Sequence, residues 1–186
     1  MEPTAAVKKI RIASAKSRHF PQFWKLFEKS FPKDERFSLR VQKKLFGKKG
    51  YCAYALFVDG KFAGLEAGWQ FPKFNFVGFL ALEKQFRNKG IGTALLRKET
   101  AAAGKLIVLE AEPRQKSAKA KRRIAFYKRL GFKLNSGHYA IPDYYNKKAI
   151  PMMLMSFARK LSKKEFVEVR LTIHTKAYGL DKPIVG

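Results

Sequence analysis

Two segments rich in β-branched and aromatic residues flank the pair Asp59-Gly60, and this arrangement constrains the fold more than any other part of the sequence. An Asp-Gly pair suits the positive φ angles of a two-residue hairpin turn, so "YCAYALFV" and "KFAGLEAGWQF" predict an antiparallel hairpin. A further strand, "FNFVGFLALE", follows Pro72. An edge strand in "VKKIRIASA" precedes this sheet. Two helices are predicted in "HFPQFWKLFEKSF" and "FSLRVQKKLFG", which repeat apolar residues at intervals of three and four.

The order of elements changes in the second half of the chain. "GIGTALLRKETAAAG" predicts a helix that ends at Gly104, "KLIVLEAE" a strand, "SAKAKRRIAFYKRLG" a helix, and "FKLNSGHYAI" and "IPMMLMSFA" two more strands. Apolar residues near the end of the chain predict a helix over about 162–178. The sequence therefore predicts an α/β fold with a mixed sheet and helices on both faces. Its length favours a single domain over residues 1–186.

The composition argues against a membrane span and a disulfide framework. Hydrophobic residues make up 46% and aromatic residues 14% of the 186 residues, values that are ordinary for a globular protein. No segment approaches the roughly 18 uninterrupted apolar residues of a membrane helix. The N-terminal segment lacks the pattern of a signal peptide, and Cys52 is the one cysteine in the sequence. These features predict a cytoplasmic protein.

The charge is unusual. Forty Lys and Arg residues against fourteen Asp and Glu residues give a formal net charge of +26. Such a field attracts polyanions, so nucleic acid, an anionic membrane surface and phosphorylated cofactors are all candidate partners. A general bias toward lysine is the alternative explanation, because the basic residues are spread along the whole chain. His19, His138 and His174 are isolated in the sequence, and no metal site is predicted.

The segment "FRNKGIGTALLRKE" has the features of an anion site. A glycine turn that opens a helix presents backbone N–H groups without an intrahelical partner, and the helix dipole adds partial positive charge there. Arg87 and Lys89 supply full charges. The dinucleotide fingerprint is excluded because Leu95 stands where its third glycine is required, and a P-loop is excluded because Thr93-Ala94 follow Gly92. Glycines that merely permit tight packing remain the alternative.

The wider segment "LALEKQFRNKGIGTALL" resembles the acyl-CoA-binding motif of the GNAT superfamily of N-acetyltransferases. In that motif a strand ends in Leu-Ala-Val, and a short loop leads to Arg/Gln-x-x-Gly-x-Gly/Ala at the start of a helix. Arg87, Gly90 and Gly92 occupy the motif positions in this chain. The segment "RRIAFYKRLGFK" is similar to a later helix of the family, and the order of elements agrees over about residues 7–158. Leu82 stands where the family usually has valine, and Lys84-Gln85 replaces a frequent proline.

The resemblance implies the GNAT fold, with a parallel splayed pair of strands in a mostly antiparallel sheet, and it implies acetyl-CoA or another acyl-CoA as co-substrate. The pyrophosphate of the cofactor would lie on the backbone N–H groups of residues 88–93, with Arg87 beside it. The pantetheine arm would pair with the main chain of residues 80–82 like an added strand. The implied cofactor-binding residues are Leu80, Ala81, Leu82, Arg87, Asn88, Lys89, Gly90, Ile91, Gly92 and Thr93.

The resemblance also implies a reaction, the transfer of an acetyl group directly to an amine. Tyr127 matches the family's general acid for the leaving thiolate, and a buried core tyrosine is the alternative. Glu110 and Glu112 are two residues apart on one predicted strand, so their side chains lie on one face near its carboxyl end. Both are candidates for the general base, and Glu66 is a further candidate. Ordinary ion pairs with the many cations would explain these glutamates equally well.

The acceptor is left open by the sequence. A small-molecule amine and a protein amine are both compatible with the family resemblance. A basic nucleic-acid- or ribosome-associated protein that keeps the fold and binds CoA with little catalysis is the alternative function. The oligomeric state is also open, and a dimer is one option because the terminal helix could cover its own domain or a neighbouring copy.

Overall fold

The computed structural model describes residues 6–143 and 148–184. The chain divides into two compact units, with the boundary between Lys105 and Leu106. We describe each unit by itself, and the single domain expected from the chain length stays a prediction. Within the described residues no helix is both long and apolar enough to cross a membrane.

In the part of the first unit that the structure describes, four strands and three α-helices occur in the predicted order. The strands and helices are β1 (Lys8–Arg11), α1 (Phe20–Ser30), α2 (Leu39–Leu45), β2 (Tyr51–Val58), β3 (Lys61–Gln70), β4 (Phe74–Leu82) and α3 (Ile91–Ala102). Short 3₁₀ turns at 33–35 and 84–86 precede α2 and α3.

The four strands pair antiparallel in the order β1, β2, β3, β4. Asp59 and Gly60 join β2 to β3 with φ angles of 49° and 71°, the left-handed values that a two-residue hairpin turn requires. The predicted hairpin is thus confirmed. The register of β3 with β4 shifts between Ala67 and Gly68, so that Gly78 has no partner across the ladder. Such a bulge bends and twists β4 before its last residues.

Helices cover both faces of this sheet. Phe79 of β4 contacts Phe27 of α1, with ring centroids 4.8 Å apart. On the opposite face, Glu66 of β3 and Glu99 of α3 both bind the ammonium group of Lys9. Because successive side chains of a strand point to opposite faces, Ala67 and Phe79 face α1 whereas Glu66 faces α3. Both faces of the β3–β4 pair are therefore fixed by helices.

Within its described residues, the second unit consists of four strands, two α-helices and one π-helical turn. The elements are β5 (Leu106–Ala111), α4 (Ala118–Arg129), β6 (Phe132–Leu134), β7 (Tyr139–Pro142), β8 (Ala149–Phe157), α5 (Lys163–Thr172) and the π turn Ile173–Ala177. β8 is the common partner, since β5, β6 and β7 each pair with it antiparallel.

Two predictions for this unit need correction. The single strand predicted in "FKLNSGHYAI" is wrong, because the chain leaves β8 at Asn135 and returns to it as β7. The side chain of Asn135 accepts a hydrogen bond from the N–H of Leu161 at 2.7 Å and donates to the carbonyl of Leu154 at 3.2 Å, which fixes this break. The predicted terminal helix is an α-helix only as far as Thr172 and continues as the π turn.

Candidate functional site

The segment between β4 and α3 forms a left-handed turn. Asn88 and Gly90 have φ angles of 60° and 72°, on either side of Lys89. Asparagine and glycine are the residues that adopt this conformation at low cost. The two left-handed residues turn the chain sharply, so that α3 begins at Ile91 and its first backbone hydrogen bond runs from Ala94 to the carbonyl of Gly90 at 2.9 Å.

The N-terminus of α3 is not capped by a side chain. α2, α4 and α5 each begin with a serine whose hydroxyl accepts a hydrogen bond from the first turn, whereas α1 and α3 have no such cap. The first turn of α3 also contains no acidic residue. The N–H groups of residues 91–93 therefore keep their capacity to donate to an anion, and the helix dipole favours negative charge at this end.

Basic side chains flank this turn, and the space beside it is open. Arg87 and Lys89 are exposed. The Nε of Arg87 donates to the carbonyl of Leu82 at 2.8 Å, which ties the loop to the last residue of β4. A Cβ placed on Gly90 would meet no atom within 4 Å, so a ligand can approach the backbone closely there.

The end of β4 is held firmly and is partly exposed. Residues 80–82 are half-buried and pair with residues 64–66 of β3. Leu82 and Phe86 pack against a buried cluster of Val58, Ala63 and Ile91. The structure thus brings the predicted cofactor residues into one stretch, in which Leu80, Ala81 and Leu82 end the strand and residues 87–93 form the turn and the first turn of the helix.

Glu66 lies in a buried charge cluster rather than in an open cleft. Its Oε1 accepts from the Nζ of Lys9 at 2.9 Å, and Lys9 also binds Glu99 and lies 4.2 Å from the ring centre of Tyr54. Burial raises the pKa of Glu66 from 4.5 to about 8; the nearby Glu99 carboxylate adds to the shift and Lys9 opposes it. Burial alone would lower the pKa of Lys9, but Glu66 and Glu99 together raise it.

Tyr127 is buried on the inner face of α4. Ala120, Ile124 and Tyr127 are the buried residues of this helix, as the sequence predicted. The ring of Tyr127 lies 5.8 Å from that of Phe132 in β6. Burial raises the pKa of the Tyr127 hydroxyl, while Arg123 acts in the opposite direction. The hydroxyl therefore keeps its proton at neutral pH, which is the state that a general acid needs.

Glu110 and Glu112 have different environments, contrary to the expectation of a shared strand face. Glu110 belongs to β5 and accepts hydrogen bonds from the hydroxyls of Tyr139 and, at 2.6 Å, Tyr178. Glu112 lies beyond the strand, which ends at Ala111. Its carboxylate pairs with Arg123 of α4 at 2.8 Å and with Lys116 at 3.5 Å. The end of the strand is what separates the two side chains.

Several polar groups near the candidate residues were not predicted. Lys9 and Glu99 join Glu66 only through long-range contacts, and no local pattern in the sequence indicates them. Tyr139 and Tyr178 meet at Glu110 from segments far apart in the chain. The sequence contains one indication of the π turn before Tyr178. The apolar positions Ile173 and Tyr178 are five residues apart, an interval that fits a π turn better than an α-helix. No group of three or more His, Cys, Asp or Glu residues arranged for a metal occurs in the described part of the chain.

Part of the chain matches a known family model. Residues 46–134 match the family model "Acetyltransferase (GNAT) domain". This range includes β2 to β6, and with them the turn at Gly90 and the helix that carries Tyr127. No curated protein matches the sequence significantly.

Solved structures of GNAT acetyltransferases share the fold. An acetyltransferase assigned to the GNAT family from Bacteroides thetaiotaomicron superposes with a TM-score of 0.85 and 28% identity, over 94% of this chain and 99% of the other. The ribosomal-protein-S18-alanine N-acetyltransferase from Escherichia coli gives 0.58 and 18%, over 86% and 97%. A GNAT family acetyltransferase from Elizabethkingia anophelis with acetyl-CoA bound gives 0.55 and 16%, over 81% and 97%.

The last two structures are below 25% identity and show the fold alone. Together with the domain match and the Bacteroides structure, they confirm both the predicted fold class and the resemblance to the GNAT superfamily. The chain has the GNAT acetyltransferase fold.

Replacing Glu66 by glutamine should make the stability of the fold less sensitive to pH. Below the ordinary pKa of 4.5 the carboxyl is protonated in both the folded and the unfolded chain, and between 4.5 and about 8 only the folded chain keeps the proton. Glu66 therefore lowers the free energy of unfolding as the pH rises through this window, by at most about 1.4 kcal/mol per pH unit. The glutamine of Glu66→Gln does not titrate. The free energy of unfolding of the variant should therefore rise relative to that of wild type as the pH rises.

Urea denaturation of both proteins at several pH values between about 5 and 8 measures this difference. A difference in unfolding free energy that stays constant across the window would contradict a protonated, buried Glu66.

Proposed function

We propose that this protein is an acetyl-CoA-dependent N-acetyltransferase that transfers the acetyl group directly to an amine. The observation that carries the proposal is the uncapped N-terminus of α3 behind the left-handed turn at Asn88 and Gly90, with Arg87 and Lys89 beside it. In this proposal the pyrophosphate of CoA accepts hydrogen bonds from the N–H groups of this turn. The acetyl-CoA-bound structure from Elizabethkingia supports the choice of cofactor through its fold.

The pantetheine arm is proposed to follow the end of β4. Residues 80–82 are half-buried, and their main chain would pair with the amide groups of the arm like an added strand. Arg87 already binds the Leu82 carbonyl, which places its guanidinium between the end of the strand and the turn. Arg87 would therefore contact the phosphates while holding the loop against the strand.

The reaction itself needs a neutral amine and a protonated leaving group. The amine nitrogen attacks the thioester carbonyl carbon, a C–N bond forms, and the C–S bond breaks as the tetrahedral intermediate collapses. Tyr127, whose pKa is raised by burial, gives its proton to the departing thiolate. The acceptor nitrogen loses a proton to a base, which passes it to solvent, and Tyr127 regains a proton from solvent, so that the products are an amide and free CoA.

Glu66, Glu110 and Glu112 all remain candidates for the base in this proposal. Glu66 is held by Lys9, and Glu112 by Arg123 and Lys116, so both carboxylates already have cationic partners. Glu110 accepts hydrogen bonds from the hydroxyls of Tyr139 and Tyr178.

A glycine replacement tests the proposed pyrophosphate site against a matched control. Gly90 and Gly60 have φ angles of 72° and 71°, and at both positions an added Cβ would meet no atom within 4 Å. Alanine should therefore strain the backbone of either variant by a similar amount, about 1–2 kcal/mol. Only Gly90→Ala should also weaken CoA, by about tenfold or more, because the methyl group lies where the phosphates approach.

Isothermal titration of CoA into wild type, Gly90→Ala and Gly60→Ala at a temperature where all three are folded measures this effect. Equal affinities in the three proteins would contradict the placement of the pyrophosphate, even if CoA binds.

Removing the Tyr127 hydroxyl should slow turnover without weakening CoA. A general acid contributes about 10²–10⁴-fold, and the thiolate is already a fair leaving group, so Tyr127→Phe should lose at most this factor in kcat. Turnover is measured as thiol release from acetyl-CoA over a panel of amino acids, polyamines and peptides with free N-termini. Mass spectrometry of the product then identifies the acetylated nitrogen. Unchanged kcat in Tyr127→Phe would show that another group protonates the thiolate.

Nucleic-acid binding is a second candidate function, favoured by the surface around α4. The sequence has no acidic residue between Glu112 and Asp143. Arg123 and Lys116 pair with Glu112, whereas the other cations of this segment are exposed and form no ion pair within the described ranges. They are Arg114, Lys119, Lys121, Arg122, Lys128, Arg129 and Lys133. Such a surface suits a phosphate backbone.

Salt-dependent binding to a short labelled RNA tests this second function. Lys121 and Lys128 lie two helical turns apart on α4, about 10 Å along its axis. The double variant Lys121→Gln, Lys128→Gln should lower the slope of log K against log salt by about 0.7 per lost phosphate contact. The control, Lys163→Gln with Lys164→Gln, removes the same charge from α5. Equal losses in both double variants would indicate an attraction by net charge alone.

A further inference from the structure

We propose that the first unit contains a second ligand site, a cavity beside β1 that binds a free nucleoside monophosphate. The cavity has a volume of about 380 Å³ and lies where β1, the residues before α1 and the hairpin turn between β2 and β3 meet. The side chains that give it its chemistry are Lys8, Arg18, His19 and Phe57. The proposal goes beyond acetyl transfer and does not depend on it.

One wall of the cavity is aromatic. Phe57 of β2 is half-buried, and the ring of His19 makes a T-shaped contact with it, with centroids 5.0 Å apart. Phe62 of β3 contacts the same ring, with centroids 5.9 Å apart. Ile10 of β1 adds an aliphatic side chain to the lining. A half-buried wall of this kind suits the flat ring of a nucleobase, because every base has a π face that stacks on aromatic side chains.

The side chains of His19 and Arg18 hold each other in place. Nε2 of His19 accepts a hydrogen bond from Nε of Arg18 at 3.2 Å, and Nδ1 of His19 lies 3.1 Å from the amide nitrogen of the Gln22 side chain. The first contact uses one of the five N–H donors of the guanidinium. The two terminal NH₂ groups form a planar fork that suits phosphate oxygens, so Arg18 presents this fork to a ligand.

The second cation of the cavity is placed by the strand register. Lys8 of β1 lies directly opposite Phe57 of β2, so the two side chains stand on the same face of the sheet. The next residue, Lys9, points to the other face and binds Glu66 and Glu99. Lys8 is exposed and forms no ion pair with any residue that the structure describes. Its ammonium group is thus available beside the aromatic wall.

These groups define the chemistry of the ligand. Two cations match a phosphate monoester, which carries up to two negative charges, and the aromatic wall matches a ring attached to it. Asp59 lines the cavity at the hairpin turn, and its carboxylate oxygens can accept hydrogen bonds from the hydroxyl groups of a ribose. The volume is near the lower end of the roughly 300–1,000 Å³ of small-molecule sites, so it suits a mononucleotide better than a dinucleotide.

The cavity is separate from the turn at Gly90. β1 and β4 are three strand spacings apart, which is about 14 Å because neighbouring strands lie about 4.8 Å apart. α3 packs on the face of Lys9 and Glu66, whereas Lys8 and Phe57 lie on the opposite face. CoA at the turn and a mononucleotide in the cavity can therefore be bound at the same time.

Titration of AMP into the ¹⁵N-labelled protein, with and without saturating CoA, tests the proposal. The backbone N–H signals of residues 8, 18–19 and 57–60 should shift saturably in both titrations. Adenosine lacks the phosphate and ribose 5-phosphate lacks the ring. Each of the two should therefore bind at least about tenfold more weakly than AMP.

Two variants test the cation and the ring separately. Arg18→Gln should weaken AMP by about tenfold or more, because it removes charge-assisted hydrogen bonds to the phosphate. Lys16→Gln is the matched control, since it removes one charge from an exposed residue of the same loop that does not line the cavity. Phe57→Leu should weaken AMP by about fivefold or more through lost stacking and leave ribose 5-phosphate unaffected. Should Phe57→Leu fold poorly, the exposed Arg18 carries the test.

Four results would overturn the proposal. The first is the absence of saturable AMP binding. The second is AMP binding that CoA abolishes and whose largest shifts lie at residues 88–93, because AMP then occupies the turn. The third is an equal loss in Arg18→Gln and Lys16→Gln, which indicates attraction by net charge alone. The fourth is ribose 5-phosphate that binds as tightly as AMP. All four leave the proposed acetyltransferase in place, and the titration without CoA stays decisive even for a protein that binds no CoA.

Discussion

The proposed chemistry depends on one backbone constraint, the left-handed turn at Asn88 and Gly90. Two positive φ angles within three residues end the loop after β4 and start α3 without a side-chain cap. The N–H groups at this end have no intrahelical acceptor, and no acidic side chain in the first turn competes for them. The result is an open turn that presents backbone N–H groups and partial positive charge, and it is suited to a diphosphate.

The rest of the first unit holds this turn in place. The hairpin at Asp59-Gly60 sets the register of β3, and β3 in turn sets the end of β4. On the other side of the turn, Ile91 packs against Val58 and Ala63, and Glu99 binds Lys9. Burying two carboxylates beside one ammonium is unfavourable unless one carboxylate is protonated, and the raised pKa of Glu66 provides this solution. The helix is therefore docked through both an apolar and a polar contact.

Local patterns were sufficient to predict most elements and the glycine turn that opens α3. The Asp59-Gly60 hairpin, the buried stripe of α4 and the turn at Gly90 all follow from short-range rules for φ angles and periodicity. The break at Asn135 was missed because it depends on hydrogen bonds to Leu154 and Leu161, which no local pattern reveals. The same is true of the partners of the glutamates. Glu110 and Glu112 are two residues apart, yet one meets tyrosines from distant segments and the other meets Arg123, since the strand ends between them.

The central claim is that the backbone of residues 88–93 binds the diphosphate of CoA, and amide chemical shifts test it most directly. In a titration of ¹⁵N-labelled protein with CoA, the account predicts that the largest shifts of backbone N–H signals occur at Asn88 through Thr93. Saturable CoA binding with its largest amide shifts elsewhere, and none in this turn, would contradict the account.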